Sequence, residues 1–505
     1  MTTDAVIGVD IGTSSSKGVL VTINGSILTT VVRKHVVSRP TPGQVEMDAR
    51  VWWDEFVAIA RELTASQAAR ANNVRVVGVG VSGMGPCVLI TDADGKPLRP
   101  AILYGVDTRA VEEIAELTAE LGGQAIVARC GSSLSTQAVG PKLVWIERYE
   151  PLIADSAQRL FMPSSYLVYH LTGEYVLDHH SASQCAPMYD TRTLSWYEPW
   201  ASRVLDGFGG GQGFDLPRLQ WPGDIVGTVS AGASTETGIP VGVPVIAGTI
   251  DAWAEAVSVG ADSAGDLMLM YGTTMFLINT VSDRAVSSAM WGTVGAYPGT
   301  YNLAGGMATS GAITNWLRDL YGAPDFSTLL AEADGSGAGA RGLLMLPYFA
   351  GERTPIADPD ARGLIAGLSM ETTRGDIYRA ALEATAFGVR HNVETFQALG
   401  YPVNRTVAVG GGTQGGLWTQ IVSDISGLDQ IIPTVTIGAS FGGAFLAASA
   451  VAPTSIAEWN PSAATTSPRL ESKHLHDDLY EMYLDLYDST KVITHKLARN
   501  LSERH

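Results

Sequence analysis

Apolar positions along this chain switch repeatedly between two spacings. Residues 6–9, 19–21 and 27–32 are near-continuous or alternating apolar runs that read as strands, and the Asn24-Gly25 pair between the last two marks a hairpin turn. A spacing of three to four follows: Trp52, Phe56, Ile59, Ala60 and Leu63 share one face of a helix that Asp48 can cap. Residues 74–83, 243–247, 266–278 and 406–409 read again as strands, and 312–320, 417–426 and 475–497 as helices. The alternation predicts an α/β fold. Residues 207–213, 334–342 and 461–468 carry no period and read as loops or linkers.

The first strand runs into Asp10-Ile-Gly-Thr-Ser-Ser-Ser-Lys17 and then into another strand, so the polar stretch is a hairpin tip. Gly12 permits the tight turn, while Thr13, Ser14 and Ser15 offer hydroxyls and backbone N–H groups that can surround an anion such as phosphate. Asp10 is suited to hold Mg²⁺, directly or through water. Lys17 reads equally well as a phosphate contact and as a solvated strand-edge lysine. An ordinary polar hairpin competes with the phosphate reading until the second half of the chain is considered. Asp266-Leu-Met-Leu-Met-Tyr-Gly-Thr-Thr-Met-Phe-Leu-Ile278 repeats the arrangement, with Gly272, Thr273 and Thr274 at its tip. Each half also has a β-run ending in glycines, at residues 74–83 and 405–415. Two related halves are implied, each bringing a phosphate-gripping hairpin to a nucleoside triphosphate and its metal.

One motif misleads. Gly78-Val-Gly-Val-Ser-Gly83 matches the GxGxxG of dinucleotide-binding folds, but Met84-Gly-Pro86 and the β-like Cys87-Val-Leu-Ile90 follow it instead of a helix. No GxxxxGK[ST] occurs in the sequence.

Asp251 follows the apolar residues 243–247 at a Gly-Thr turn, which is where a strand end presents a carboxylate. It can act as a general base on a hydroxyl, or simply cap a helix over residues 252–259. The residues alone leave these readings even.

Taken together these segments resemble the FGGY carbohydrate kinases of the actin and hexokinase superfamily, xylulokinase-like members above all. The resemblance rests on Gly363-Leu-Ile-Ala-Gly-Leu-Ser369 followed by Asp376-Ile-Tyr-Arg-Ala-Ala-Leu-Glu383, on Leu346-Pro-Tyr-Phe-Ala-Gly-Glu-Arg-Thr-Pro355, and on Gly248-Thr-Ile-Asp251, Leu171-Thr-Gly-Glu174 and Pro141-Lys-Leu-Val-Trp145. It implies two actin/hexokinase-like (ribonuclease H-like) domains with a nucleotide and sugar cleft between them, here expected as residues 1–250 and 251–505. It also implies transfer of a phosphoryl group from ATP, with Mg²⁺, to a small sugar. Asp251 is then the catalytic base, and Gly410-Gly-Gly-Thr-Gln-Gly-Gly416, with Gly411, Gly412 and Thr413, resembles the adenosine loop. Gly311 and Asn315 resemble positions near the nucleotide phosphates. Met84, Gly85, Tyr104 and Asp107 fall where the family binds sugar, together with Asp251. Residues 438–448, rich in Gly, Ala and Ser, resemble one of the helices that connect the two domains, and their small side chains suit close approach to another backbone.

Sugar identity is less constrained. Ser82-Gly-Met-Gly-Pro-Cys87 stands where xylulokinases carry Gln-Met-His-Gly and glycerol kinases Arg-Glu; Tyr104 replaces a Trp, Ala252 an Asn, and Ser165 an acid. A ketopentose such as D-xylulose is the expected acceptor, with ribulose, gluconate, a deoxysugar or a polyol as alternatives. A nucleotide-driven chaperone or filament protein would share the hairpins but need no sugar-facing base. A sensor that binds sugar and ATP without transfer is the other competing class.

Composition narrows the partners. A net charge of −18 excludes nucleic acid and anionic membranes as natural partners, and is no obstacle to ATP held by backbone amides and Mg²⁺. Three scattered cysteines and no secretory signal suggest a cytoplasmic chain with reduced thiols. A homodimer is compatible with this picture. Glu352 and Arg353 are expected to pair and shape a loop. His179-His180 has no His or Cys partner at ligand spacing and reads as a surface or hydrogen-bonded pair.

Overall fold

A computed structural model describes residues 2–502. The chain forms two compact units: residues 1–262, 282–302 and 437–461 make the first, and residues 263–281, 303–436 and 462–505 the second. Asp251 and the helix it opens therefore belong to the first unit, although the boundary was expected at 250/251.

The first unit is built on a mixed sheet. The strands Thr3–Ile11 and Ser15–Thr22 form the expected antiparallel hairpin, Ile27–Lys34 continues it, and Val74–Gly83 lies parallel to the first strand on its other side. Pro244–Ile246 and Thr249–Ile250 extend the same sheet beside Val74–Gly83. The strand Val74–Gly83 runs on without a helix, which disposes of the dinucleotide motif.

Each face of this sheet is covered by a helix, and glycines decide how closely. On one face the helix Ala49–Thr64 buries Trp52, Phe56, Ile59, Ala60 and Leu63, with the Asp48 carboxylate capping Arg50 N–H. On the other lies the helix Ala439–Val451. A Cβ at Gly8 would sit 2.0 Å from the Ser440 carbonyl oxygen, and one at Gly80 would sit 1.9 Å from that of Gly443. The same helix meets the helix Asp251–Ser258, where a Cβ at Gly442 would fall 1.8 Å from the Ala254 oxygen. No side chain fits at these points, so the expectation of small-residue packing for this stretch holds within the first unit.

The second unit repeats the plan. Asp266–Tyr271 and Met275–Val281 form an antiparallel hairpin, and Arg405–Val409 lies parallel to the first of them. Gln430–Pro433 and Ser462–Thr466 follow outward. Residues 461–468 are thus not a linker: Ser462–Thr466 is an edge strand. Its Ala and Thr side chains are nearly all exposed, so it shows no apolar alternation to reveal it. Residues 334–342 are likewise not one loop, because the helix Phe326–Ser336 reaches into them. The helices Gly311–Leu320, Leu417–Ser426, Arg374–Ala398 and Lys473–Ser502 complete the unit. Among the described residues no helix is long and apolar enough to cross a membrane.

Candidate active site

In the first unit the hairpin tip is held by its own backbone and by the residue that follows the strand Ile27–Lys34. Gly12 N–H donates to Ser15 O (3.1 Å), His35 N–H to Ser14 O (3.1 Å), and the His35 ring bridges Gly12 O and Glu55. His35 escaped the sequence reading, since a lone histidine at a strand end carries no pattern. Thr13 and Ser15 are partly buried and Ser14 is exposed. The Thr13 hydroxyl meets Tyr104 OH at 3.0 Å, which links the tip to the segment expected to bind sugar.

Asp10 is the last residue but one of the first strand, opposite Lys17 on the hairpin and Ser82 on the parallel strand. One carboxylate oxygen accepts from Ser82 Oγ (2.8 Å). Lys17 donates to Ile437 O (2.9 Å), so it is neither a freely solvated lysine nor an unengaged cation. Asp251 follows the strand Thr249–Ile250 as the first residue of its helix. The N-cap is Ile250, and the Asp251 carboxylate accepts from the adjacent Ala252 N–H (2.7 Å). That bond is not the one a capping residue makes to the second or third helical N–H.

Asp10, Asp251 and Glu255 keep an accessible face but stand deep in protein. Burial raises all three above the usual carboxylate range. The Asp10 charge raises the other two further, while Ser82 and Lys17 partly offset the rise at Asp10. Glu255 is pushed up to about 7. An acid whose folded pKa is raised binds more protons folded than unfolded, so its contribution to stability is full below about pH 4.5 and is lost as pH rises through about 7. The Glu255 contribution therefore lowers the melting temperature of the ligand-free protein at pH 7.5 relative to pH 5, against an opposite trend from the buried and half-buried histidines held below the usual imidazole range. Glu255→Gln should remove that contribution and melt higher than the parent at pH 7.5. Thermal scans across this range check it, and a Gln variant that melts below the parent at pH 7.5 would refute the electrostatic account.

The residues expected at the sugar separate into two sets. Tyr104 and Gly85 are partly exposed, and a Cβ on Gly85 would meet Ile250 at 2.6 Å. Met84 is buried, its N–H bonded to Ile11 O (2.7 Å). Asp107 is enclosed: its oxygens accept from the Arg109 guanidinium, Arg109 N–H and Val45 N–H. Arg109 also reaches Glu46 (2.7 Å). Lys142, fully buried and pushed down to about 8, donates to Tyr104 O and Thr136 O, and so fixes the Tyr104 backbone.

In the second unit a cavity of about 520 Å³ gathers six of the eight nucleotide residues expected in this unit: Gly272, Thr273, Gly311, Asn315, Gly411 and Gly412. That is within the usual range for small-ligand sites. Gln414 of the glycine run also lines it, as do Tyr271, Phe326, Tyr378 and Trp418, which sequence reasoning missed. Tyr271 directly precedes the hairpin tip and Trp418 stands two residues past the glycine run, so closeness to the motifs was the available signal. Thr274 and Thr413 do not line the cavity. Thr274 O closes the tip by accepting from Gly272 N–H, and the Thr413 hydroxyl bonds Gly410 O.

This hairpin tip is laced to a helix N-terminus. Gly311 N–H donates to Gly272 O (3.0 Å), and Ser310 and Ala312 N–H donate to Thr273 O. A Cβ at Gly311 would lie 2.5 Å from Gly272 O. Ser310 Oγ is buried and without a hydrogen-bond partner, beside the positive end of the helix Gly311–Leu320, an arrangement suited to an anion.

Other expectations resolve locally. The Glu352 carboxylate accepts Arg353 and Ala308 backbone N–H groups, not the Arg353 guanidinium. His179 hydrogen-bonds Tyr189 OH; His180 is not at the surface but buried, stacked on Trp253 and bonded to Val294 O. The three cysteines are buried and unbridged. Among the described residues no group of three or more His, Cys, Asp or Glu is arranged to hold a metal ion.

The sequence matches the FGGY family of carbohydrate kinases, N-terminal domain, over residues 5–258, and the C-terminal domain of the same family over residues 267–451. It is 29% identical over 484 residues to a xylulose kinase of Escherichia coli (strain K12), covering 93% of this chain and 94% of that one. A glycerol kinase of Nocardia farcinica (strain IFM 10152) is 30% identical over 469 residues, with 88% and 90% covered. The crystal structure of a xylulose kinase from Rhodospirillum rubrum matches with a TM-score of 0.90 and 31% identity, over 97% of this chain and all of that one.

Proposed function

Because this chain belongs to the FGGY family of carbohydrate kinases, we propose that it phosphorylates a neutral ketose, a ketopentose such as D-xylulose first among them, using Asp251 as the base. The observation that carries the proposal is the state of Asp251: it opens its helix without capping it, stays accessible, and has its proton affinity raised by burial and by Asp10. A carboxylate raised toward neutrality is a stronger acceptor for a hydroxyl proton than an ordinary one.

Roles divide between the units. In the first, Thr13 and Tyr104 orient the acceptor and Asp251 takes its proton. Asp107 is assigned a positioning role, because its saturated bonds to Arg109 and Val45 hold the Tyr104 segment. In the second, the cavity at Gly411, Gly412 and Asn315 takes the adenosine, and Gly272, Thr273 and the Gly311 helix end take phosphate oxygens. The donor set in the first unit fits a hard divalent cation with few protein ligands: Asp10 accepts one hydrogen bond on one oxygen, and two further carboxylates stand near it. Mg²⁺ held there by Asp10 and water would neutralise charge on the triphosphate.

The charge pattern favours a neutral acceptor over a sugar acid. Lys17, Lys142 and Arg109 are engaged by backbone carbonyls or carboxylates, while Asp10, Asp251 and Glu255 leave the recess acidic. Absence of an Arg-Glu pair at residues 82–87 argues against glycerol. The names of the relatives over most of the chain length support xylulose. A coupled ADP-release screen with Mg²⁺-ATP tests this: D-xylulose is expected to exceed gluconate in kcat/KM by at least roughly 100-fold, about 3 kcal/mol. Equal turnover of gluconate would overturn the acceptor class, and no turnover of any ketose or polyol would favour a sensor.

A further inference from the structure

Thr136 and Gln137 form the turn just ahead of the helix Val139–Tyr149 and grip one peptide of the segment that carries Tyr104. The Thr136 hydroxyl donates to Gly105 O (3.1 Å), and Gln137 Oε1 accepts from Gly105 N–H (3.0 Å). Lys142 ties the two segments again through Tyr104 O and Thr136 O. A Cβ at Gly105 would lie 2.7 Å from Gln137 Cδ, so an alanine there would push the amide aside. The Gly105 bond also fixes which way round the amide lies, because a backbone N–H only donates and must face the oxygen. That leaves Nε2, with two N–H groups on a half-buried side chain, without a partner among the described residues.

These donors lie beside the residues assigned to the acceptor. Tyr104, next to the gripped peptide, reaches the Thr13 hydroxyl at the hairpin tip. Cys87, whose thiol burial pushes up to about 12, also feels the charges of Lys142 and Asp251 and bonds the Tyr104 backbone, so the base, Tyr104 and Lys142 share one neighbourhood. Gly83, Met84, Gly85 and Pro86 carry no polar side chain, and that stretch leaves an acceptor's oxygens to side-chain donors elsewhere in the unit. We propose that Gln137 determines acceptor specificity, its Nε2 donating to one oxygen of the bound sugar. This contact, which rests on the sugar kinase reading of the same recess, gives the acceptor a required oxygen. With Oε1 held by Gly105, Gln137 meets a ligand as a donor only. It suits a hydroxyl or carbonyl oxygen and is left unsatisfied by a sugar that lacks oxygen at that carbon. Once sugar covers it, a donor without its partner is penalised by more than the bond itself would gain, enough to reject such a deoxysugar by about 10- to 100-fold.

The test is calorimetric titration of the full-length protein with D-xylulose and with derivatives that each lack one of its oxygens, in the parent and in two variants. Gln137→Glu keeps an oxygen for Gly105 N–H and replaces the donor, whereas Gln137→Met removes both. One derivative is expected to bind the parent about 10- to 100-fold more weakly than D-xylulose. Both variants should lose at least as much on D-xylulose and no longer distinguish that derivative from it, the signature of a direct contact. Circular dichroism melting of Gln137→Glu should match that of the parent, and in ADP release the loss should fall on KM with kcat within about 3-fold. If Gln137→Met melts early, Gln137→Glu alone decides. Coupling of this kind without ADP release would support the Gln137 contact in a sensor. Variants that weaken D-xylulose and every derivative by the same factor, or that bind D-xylulose as the parent does, overturn the contact and leave the ketose acceptor standing. A parent that binds no D-xylulose overturns both.

Discussion

Asp251→Asn is expected to lower kcat by roughly 10²–10⁴-fold while sugar and ATP still bind, the range over which removal of a general base acts. Asn keeps the size of Asp and can still accept from Ala252 N–H through its amide oxygen, so the helix start survives. What disappears is the charge that receives the hydroxyl proton. In the ligand-free protein the same change removes a carboxylate whose ionisation burial and Asp10 oppose, so thermal stability at neutral pH should hold or rise. The two readings of Asp251 thus diverge in one protein: a structural residue would give normal turnover, a base a stable enzyme that scarcely turns over. A folded variant that retains most sugar-dependent ADP production would remove Asp251 from the chemistry.

The second large effect is on stability. Gly442→Ala is expected to destabilise the first unit by about 3 kcal/mol and lower its melting temperature by roughly 5–10 °C, because the new methyl would need space 1.8 Å from the Ala254 carbonyl oxygen. Backbone on both sides cannot rotate away as a side chain could. The displaced partner is the helix that begins at Asp251, so kcat should fall alongside. Gly335→Ala serves as the comparison: it lies in the helix Phe326–Ser336 with open space around a Cβ, and should be neutral or stabilising by up to about 1 kcal/mol. Equal melting of the two variants would show that the close contact is not a constraint.

Much of this arrangement was legible in advance for physical reasons. Both Gly-Thr hairpin tips announce themselves because strands of Val, Ile, Leu and Met cannot continue through Gly-Thr-Ser or Gly-Thr-Thr. The parallel glycine-ended strands beside them made the duplication visible. The uncharged 438–448 stretch could be read as a close-packed helix from residue size alone. Less could be learned where the cause is remote. Ser462–Thr466 is held by main-chain bonds to Gln430–Pro433 and leaves its side chains in solvent, so no periodicity marks it. Asp107 resembled a ligand-facing acid, but its bonds come from Arg109 and Val45, the second of these far back in the chain. Tyr271 and Trp418 line the cavity through tertiary placement, and an aromatic beside a glycine run is by itself indistinguishable from core.

The glycine seam of Gly8, Gly80 and Gly442 also sets an order of events during synthesis. The strands Thr3–Ile11 and Val74–Gly83 leave the ribosome some 350 residues before the helix Ala439–Val451 that covers one face of them. At ~5–20 residues per second that interval lasts roughly 20–70 s. For its duration a smooth apolar sheet face lacks its permanent cover, long enough for a nascent chain to meet a holdase or a neighbouring chain. Premature termination anywhere before residue 437 would make that exposure permanent, yielding fragments that aggregate instead of a half-size binding protein.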